Sequence, residues 1–235
     1  MIGFDAIKGE LKGLENSEKV ITFRRVFKPS ENERLKFFGV PVPTLRKIIK
    51  KYSKIPLTEL QKLLEDEYHE CNIIALLFSI YMFNKEKSEE IKKLYFNFYC
   101  DNIKYINTWD LVDLSAPYIV GNYLIDKNRD ILYKFAKEAD IWKQRIAIVS
   151  TYCFIKQNDL VDTIEISKIL LNTKDDLIQK AVGWMLREAG KKDFDAEYNF
   201  LLLNDNYKNM PRTMLRYAIE KFPESLRLNF LKGNI

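Results

Sequence analysis

One carboxylate, two indoles and several cations recur at matching positions of the 235-residue chain, a combination able to grip a polyanion and act on it. Trp109 stands four residues before Asp113, Lys180 four before Trp184 and Arg212 four before Arg216, and residues at i and i+4 share one helix face. Arg145 occupies the equivalent place in the intervening segment, and Arg187 projects from nearly the same face as Trp184. Cations hold phosphates, while indole faces contact sugars or bases. A lone carboxylate among them would repel a phosphodiester, so Asp113 requires another explanation: a structural salt bridge with Arg145, or a chemical role. Taken singly, Trp109 and Trp184 read as core residues and Asp113 as a helix-surface ion pair. Their alignment in one register is what points to a site.

The elements that must position these residues are helices. Apolar residues recur at three- and four-residue spacing, as in Leu57, Leu60, Leu63 and Leu64, while period-two alternation is scarce. Start and stop signals punctuate the chain from Pro43 and Pro56 through Asn84, Asn107 and Asn128 to Gly190, Pro211 and Pro223. Asp140 and Asn158 read as N-caps, and Thr173-Lys174-Asp175-Asp176 as a loose capping box. Segments starting at Asn72, Thr108, Gln144 and Gln179 are offset by 36, 36 and 35 residues, with a fainter copy at Pro211 and a second helix between successive copies. Helical pairs at a fixed period predict a right-handed solenoid over residues 1–235 as a single domain, with equivalent positions lining its concave face. One row there is Ile73, Trp109, Arg145, Lys180 and Arg212; the next turn is Leu77, Asp113, Val149, Trp184 and Arg216. A plain helical bundle is the competing architecture.

Composition narrows the classes. With 47% hydrophobic and 30% charged residues, the chain is an ordinary globular protein able to bury a core. Early charges in Met1–Glu15 and the lack of an 18-residue apolar run point to a cytoplasmic protein without a membrane partner. Cys71, Cys100 and Cys153 lack CxxC spacing and read as buried, reduced thiols. His69 is the single histidine, so no Ser/His, Cys/His or metal-ligand cluster is expected, and the eight glycines form neither GxxxxGK[ST] nor GxGxxG. We therefore expect no metal and no cofactor. The net charge of +5 is uneven: residues 1–54 hold 13 Lys/Arg against 6 Asp/Glu, residues 55–179 hold 15 against 20, and residues 180–235 hold 10 against 7. The N-terminal cluster is Arg24, Arg25, Lys28, Arg46, Lys47, Lys50, Lys51 and Lys54. Alone it reads as a solvated face, yet between Leu45 and Lys51 the charges alternate with an apolar stripe that one helix side could lay along a phosphate backbone.

Across nearly its whole length the chain resembles the bacterial DNA alkylation-repair family built of HEAT-like repeats, the N-alkylpurine DNA glycosylases. The resemblance is carried by Phe37-Phe38-Gly39-Val40-Pro41-Val42-Pro43-Thr44-Leu45-Arg46-Lys47, Asn107-Thr108-Trp109-Asp110-Leu111-Val112-Asp113, Trp142-Lys143-Gln144-Arg145-Ile146-Ala147-Ile148 and the run from Gln179 to Glu188. It implies an all-α solenoid of HEAT-like helical-pair repeats whose concave face binds double-stranded, alkylated DNA. It further implies Asp113 as catalytic carboxylate, Trp109 and Trp184 against the damaged nucleotide, and Arg145 and Arg187 on neighbouring phosphates. Lys180, Arg212, Arg216, Arg46 and Lys47 complete the expected DNA contacts, and the protein is expected to act as a monomer. One departure precedes Phe37: many relatives carry a glycine-rich loop with tyrosine there, whereas residues 27–34 are charged and glycine-free.

The implied chemistry is physically coherent. Alkylation at N3 or N7 makes a purine cationic and a good leaving group, so little acid catalysis is required. A carboxylate near the anomeric carbon stabilises the oxocarbenium character and orients or deprotonates water. Indole faces favour a cationic base or sugar by ~0.5–2 kcal/mol. A Lys180 nucleophile forming a Schiff base is a lesser alternative. Two other classes stay open: a non-catalytic repair accessory protein that binds damaged or branched DNA through the same face, and a protein-scaffolding helical repeat.

Overall fold

A computed structural model describes residues 3–27, 34–52 and 54–235; Lys28 and residues 29–33 of the glycine-free segment lie outside the described residues. Among the described residues every regular element is helical, and the one extended pairing is an isolated parallel bridge between Lys36 and Tyr68. The all-α expectation therefore holds. Contacts gather into two compact units, Met1–Leu111 and Val112–Ile235.

In the first unit, α1 (Phe4–Gly13) buries Ile7 and Leu11, whereas α2 (Ser17–Arg24), capped by the Asn16 side chain, buries nothing. Proline starts the next two helices, because its fixed φ suits a first turn and its missing N–H would be unsatisfied there anyway. Thus α3 (Val42–Ile49) follows Pro41 and buries Leu45, Ile48 and Ile49, and α4 (Leu57–Leu64) follows Pro56 and buries Leu60, Leu63 and Leu64. These apolar stripes pack on α5 (His69–Lys85), where 14 of 17 residues are buried, as a helix at the centre of its unit requires. Expected to break near Asn84, α5 ends at Lys85; α6 (Glu89–Asp101) follows.

The boundary between units falls within α7 (Trp109–Ala116), which continues through a π-helical turn, Pro117–Gly121. The second unit holds α8 (Asp130–Lys137), α9 (Ile141–Ser150), α10 (Tyr152–Lys156), α11 (Val161–Leu170), α12 (Asp176–Gly190), α13 (Phe194–Leu202), α14 (Arg212–Ala218) and α15 (Glu224–Lys232). The recurring segments at Asn72, Thr108, Gln144, Gln179 and Pro211 open within or immediately before α5, α7, α9, α12 and α14, with other helices between.

The local capping signals hold in part. Asp140 caps α9 by accepting from the N–H groups of Trp142 and Lys143. Asn158 does not cap a helix: it sits at φ +60 just beyond α10, a left-handed position that its short polar side chain tolerates, and the N-cap of α11 is Leu160. In the Thr173–Asp176 box the cap is Asp175, which accepts from Leu177 and Ile178, while Thr173 Oγ1 accepts from the Asp175 N–H at 3.4 Å. Cys71 and Cys153 are buried, but Cys100 is only half-buried; all three are free, and burial pushes the Cys100 thiol up to about 12. None is a ready nucleophile. Among the described residues no helix is long and apolar enough to cross a membrane.

The second unit depends on close approach at α12. A Cβ at Gly183 would lie 2.4 Å from the Met214 carbonyl oxygen and 2.6 Å from Tyr217 Cβ, so α14 can pack this tightly only against glycine. We expect Gly183→Ala to lose about 1–3 kcal/mol, because backbone rather than a mobile side chain must yield. Gly9→Ala on exposed α1, where nothing lies within 4 Å, should instead gain about 0.5–1 kcal/mol. Urea unfolding of the two variants checks both signs.

Candidate functional site

The second unit assembles its ionic centre from three helices. On α9 Arg145 is 5% exposed and donates from Nε to Asp113 Oδ1 at 2.9 Å and from Nη2 to Asp113 Oδ2 at 2.8 Å. Its Nη1 donates to the Leu177 carbonyl of α12 at 2.6 Å. Arg145, expected on a phosphate, is thus engaged within the protein through each of its nitrogens, and the salt bridge anticipated for Asp113 is present. A bidentate fork fixes the plane of the carboxylate as well as its position. The Asp113 side chain keeps 19% of its surface exposed, so this fixed carboxylate still borders solvent.

Around it the expected residues divide. Trp184, on α12, is half-buried with its ring 6.2 Å from that of Tyr152. Lys180, one turn earlier, pairs with Asp176 at 2.8 Å, and that hydrogen bond raises its pKa beyond the ordinary lysine value. A lysine held as the ammonium is no nucleophile, which disfavours the Schiff-base alternative. Arg187 pairs with Glu220 and, at 3.5 Å, with Glu188, while its Nε and the Oε1 of Glu197 are both buried without a partner. Arg212 is exposed and donates to the Leu231 carbonyl at 2.7 Å; Arg216 is exposed. Val149, expected in the same row, is fully buried. That row is therefore mixed, because a stripe of one residue per repeat includes positions that the packing of neighbouring helices covers.

In the first unit, Trp109 is half-buried and belongs to an aromatic cluster, its ring 6.0 Å from Phe27. Phe27 and Phe37 flank His69 at 5.3 and 5.4 Å, and these rings line a cavity of about 180 Å³ with Phe23 and Asp110. His69 Nε2 lies 2.7 Å from Asp110 Oδ2, and Thr108 Oγ1 donates to Asp110 Oδ1 at 2.7 Å. Burial pushes the Asp110 carboxyl upward, but the hydrogen bonds from His69, Thr108 and the Leu111 N–H outweigh it and hold the group below the usual carboxylate range. An ionised carboxylate only accepts, so Nε2 carries the hydrogen of that bond. Sequence reasoning missed this pair: 41 residues separate its members, and a single histidine carries no spacing signal.

The same unit explains the Phe37–Pro43 stretch. Glu70, 1% exposed, accepts from the N–H groups of Phe38, Gly39 and Val40 at 3.0, 2.7 and 3.1 Å. Converging three amides on one carboxylate requires Gly39 at φ +82, and a Cβ there would strike the Asn16 carbonyl oxygen at 2.2 Å. Arg46 and Lys47 are both exposed on α3, as are Arg24, Arg25, Lys50 and Lys54, while Lys51 pairs with Glu10. Ile73 and Leu77 are buried in α5. Among the described residues no group of three or more His, Cys, Asp or Glu is placed to hold a metal ion.

Comparison with known proteins adds an independent finding. A family model described as DNA alkylation repair enzyme matches residues 7–222. Among solved structures, a protein described as a "predicted DNA alkylation repair enzyme" from Enterococcus faecalis is similar to this chain with a TM-score of 0.65. The two are 16% identical, the match covers 89% of this chain and 97% of that one, and the likeness is one of fold. No curated protein sequence matches the chain.

The Arg187 neighbourhood yields a pH prediction. Burial raises the Glu197 carboxyl from 4.5 to about 9, against the opposing pull of Arg187. A group that holds its proton more tightly when folded stabilises most below its unfolded value and loses that contribution as pH rises through the window from 4.5 to about 9. Glu197→Gln should therefore match the wild type near pH 5 and exceed its melting temperature increasingly toward pH 9. A gap that does not change with pH across that window would refute the assignment.

Proposed function

The chain belongs to the DNA alkylation repair enzyme family, and from that premise we propose that it is a DNA glycosylase hydrolysing the N-glycosidic bond of cationic N3- or N7-alkylated purines in duplex DNA. The observation that supports this reading best is the Asp113 carboxylate, fixed by the Arg145 fork yet still bordering solvent. Electrostatic stabilisation works best when the group need not reorganise as charge develops. A carboxylate already held in one plane meets that condition, and its place is set by Arg145, which Leu177 anchors in turn. In this mechanism the alkylated purine leaves with its bonding electron pair and neutralises its own positive charge. Asp113 stabilises the resulting sugar cation, and water, oriented or deprotonated by the same carboxylate, adds to the anomeric carbon.

Trp109 stands one turn before Asp113 on α7, and its indole would contribute a cation–π attraction that a neutral base does not share. Trp184 takes the corresponding role on α12. Arg187, Lys180, Arg212 and Arg216 are assigned to phosphates, Arg212 and Arg216 with the least rearrangement since both are already exposed. For Arg145 the geometry favours positioning of Asp113 over a phosphate contact, because its nitrogens already donate inside the protein. The helix alternation is read as HEAT-like helical-pair repeats in a single domain acting as a monomer.

The deciding experiment is release of 7-methylguanine and 3-methyladenine from methylated duplex DNA by the wild type and Asp113→Asn. We expect release by the wild type and a loss of at least about 100-fold in the variant, the scale of removing one group that stabilises the transition state, with DNA affinity retained. Salt-sensitive DNA binding without base release by the wild type would instead establish a non-catalytic accessory protein. The engagement of Asp113 in a two-point ion pair with Arg145 is the observation that favours that second reading.

A further inference from the structure

Of the four second-unit cations assigned to phosphates, Arg212 and Arg216 are exposed, and Lys180 pairs with Asp176 one turn away on its own helix. Arg187 is held by a carboxylate from a different element. That carboxylate is Glu220, in the 3-10 turn Ile219–Lys221 that follows α14, and it accepts from Arg187 Nη1 although 33 residues separate the two.

The hold on Arg187 differs in kind from the hold on Arg145. Arg145 is buried and donates from each of its nitrogens, so its guanidinium is fixed. Arg187 makes one contact to a Glu220 side chain that is 47% exposed and a long one of 3.5 Å to Glu188, while its Nε is buried without an acceptor. An unpaired buried donor costs free energy, which a rotation of the guanidinium toward an outside acceptor recovers. That rotation would not strand the carboxylates: Glu220 keeps Lys221 at 3.1 Å, and Glu188 keeps Lys191 at 2.8 Å. The hydrogen bond from Lys221, with the charge of Arg187 behind it, outweighs desolvation and holds the Glu220 carboxyl below the usual carboxylate range. Glu220 is therefore ionised, as an anion competing for a guanidinium must be.

We propose that Glu220 is a resident competitor for Arg187, which a phosphate of bound DNA must displace, so that Glu220 lowers the affinity of the protein for undamaged duplex. Resting on the DNA-repair reading and on Arg187 as a phosphate contact, this adds a residue that weakens that contact rather than making one. Carboxylate and phosphate oxygens take the same N–H groups of a guanidinium, so the two anions exclude each other. Specificity is a difference of affinities. A contact that must first be broken handicaps every duplex equally, and only a duplex that offers further contacts at the site offsets the handicap. Glu188 is the lesser competitor, because its contact to Arg187 is long and its contact to Lys191 is short.

The test is fluorescence anisotropy with an undamaged labelled duplex at fixed salt. It compares the wild type, Glu220→Gln, Glu220→Asp and a control, Glu165→Gln, which removes the same charge from a carboxylate paired with Lys168 on α11. The Glu220→Gln change is also made in an Arg187→Gln background. Partly exposed ion pairs are weak, so Glu220→Gln should bind about three- to fivefold more tightly than the control. Glu220→Asp keeps the charge but is one methylene shorter, and it should bind more tightly than the wild type. Without Arg187 the gain should vanish, as expected of two residues that act through one contact. Circular dichroism checks folding, and if Arg187→Gln does not fold, the Gln and Asp variants of Glu220 decide alone. A gain no larger than that of the control overturns the proposal. So does a gain that persists without Arg187, or an Asp variant that binds like the wild type, since Glu220 then acts only as a diffuse charge. Weaker binding by Glu220→Gln overturns it as well, because Glu220 then positions Arg187 for DNA. Each of these failures leaves base release by the wild type, and with it the DNA-repair reading, untouched. A wild type that binds no duplex overturns that reading and the role of Glu220 together.

Discussion

Arg145 is buried, and a guanidinium cannot be buried without a counter-ion and hydrogen-bond acceptors. Desolvation of a charge costs several kcal/mol even after relaxation, and only close, well-oriented partners return it. Asp113 supplies two acceptors and the Leu177 carbonyl a third, so one cation ties together α7, α9 and α12. Removing the Asp113 carboxylate would leave the buried Arg145 guanidinium without this counter-ion, a change that typically costs about 3–5 kcal/mol. The arrangement therefore constrains the second unit and presents the carboxylate in a single orientation.

Buried carboxylates organise the first unit by the same logic. Glu70 gathers three consecutive amides of the Phe38–Val40 segment, and the left-handed Gly39 makes the convergence possible. Asp110 accepts from His69 and Thr108, which fixes the imidazole among the rings of Phe27 and Phe37 and sets the floor against which Trp109 packs. Each carboxylate replaces hydration with fixed donors, and those donors come from segments distant in the chain. Helix packing alone would leave these segments without a defined path.

The cations follow a different rule. Those already engaged inside the fold, such as Arg145 and Arg129, which bridges Asp159 and Asp162, serve the structure. Others, such as Arg46 and Lys50, remain exposed on the surface. A modest net charge of +5 is thus compatible with a polyanionic partner, because local pairing rather than total charge decides where positive potential remains.

The helical character of the chain and the recurrence of its segments were legible in the residue order, and the pairing of Asp113 with Arg145 was one of the two explanations it offered for that carboxylate. Apolar periodicity, proline placement and a 36-residue offset are local or regularly repeated signals, and they report directly on backbone geometry. The register placed Arg145 in the row of Trp109, one helical turn from the row of Asp113. What the residue order did not disclose depends on contacts between distant segments. His69 and Asp110, 41 residues apart, become a pair only when α5 and the start of α7 are brought together. Glu70 acquires its role only when an irregular loop passes over it, and Val149 leaves the expected surface row only because neighbouring helices cover it. Likewise, Lys51 and Lys50 are adjacent and chemically identical, yet one meets Glu10 and the other lines an open groove. Periodicity tells which residues share a face; packing decides which faces are covered, and covering determines whether a charge binds its own protein or something else.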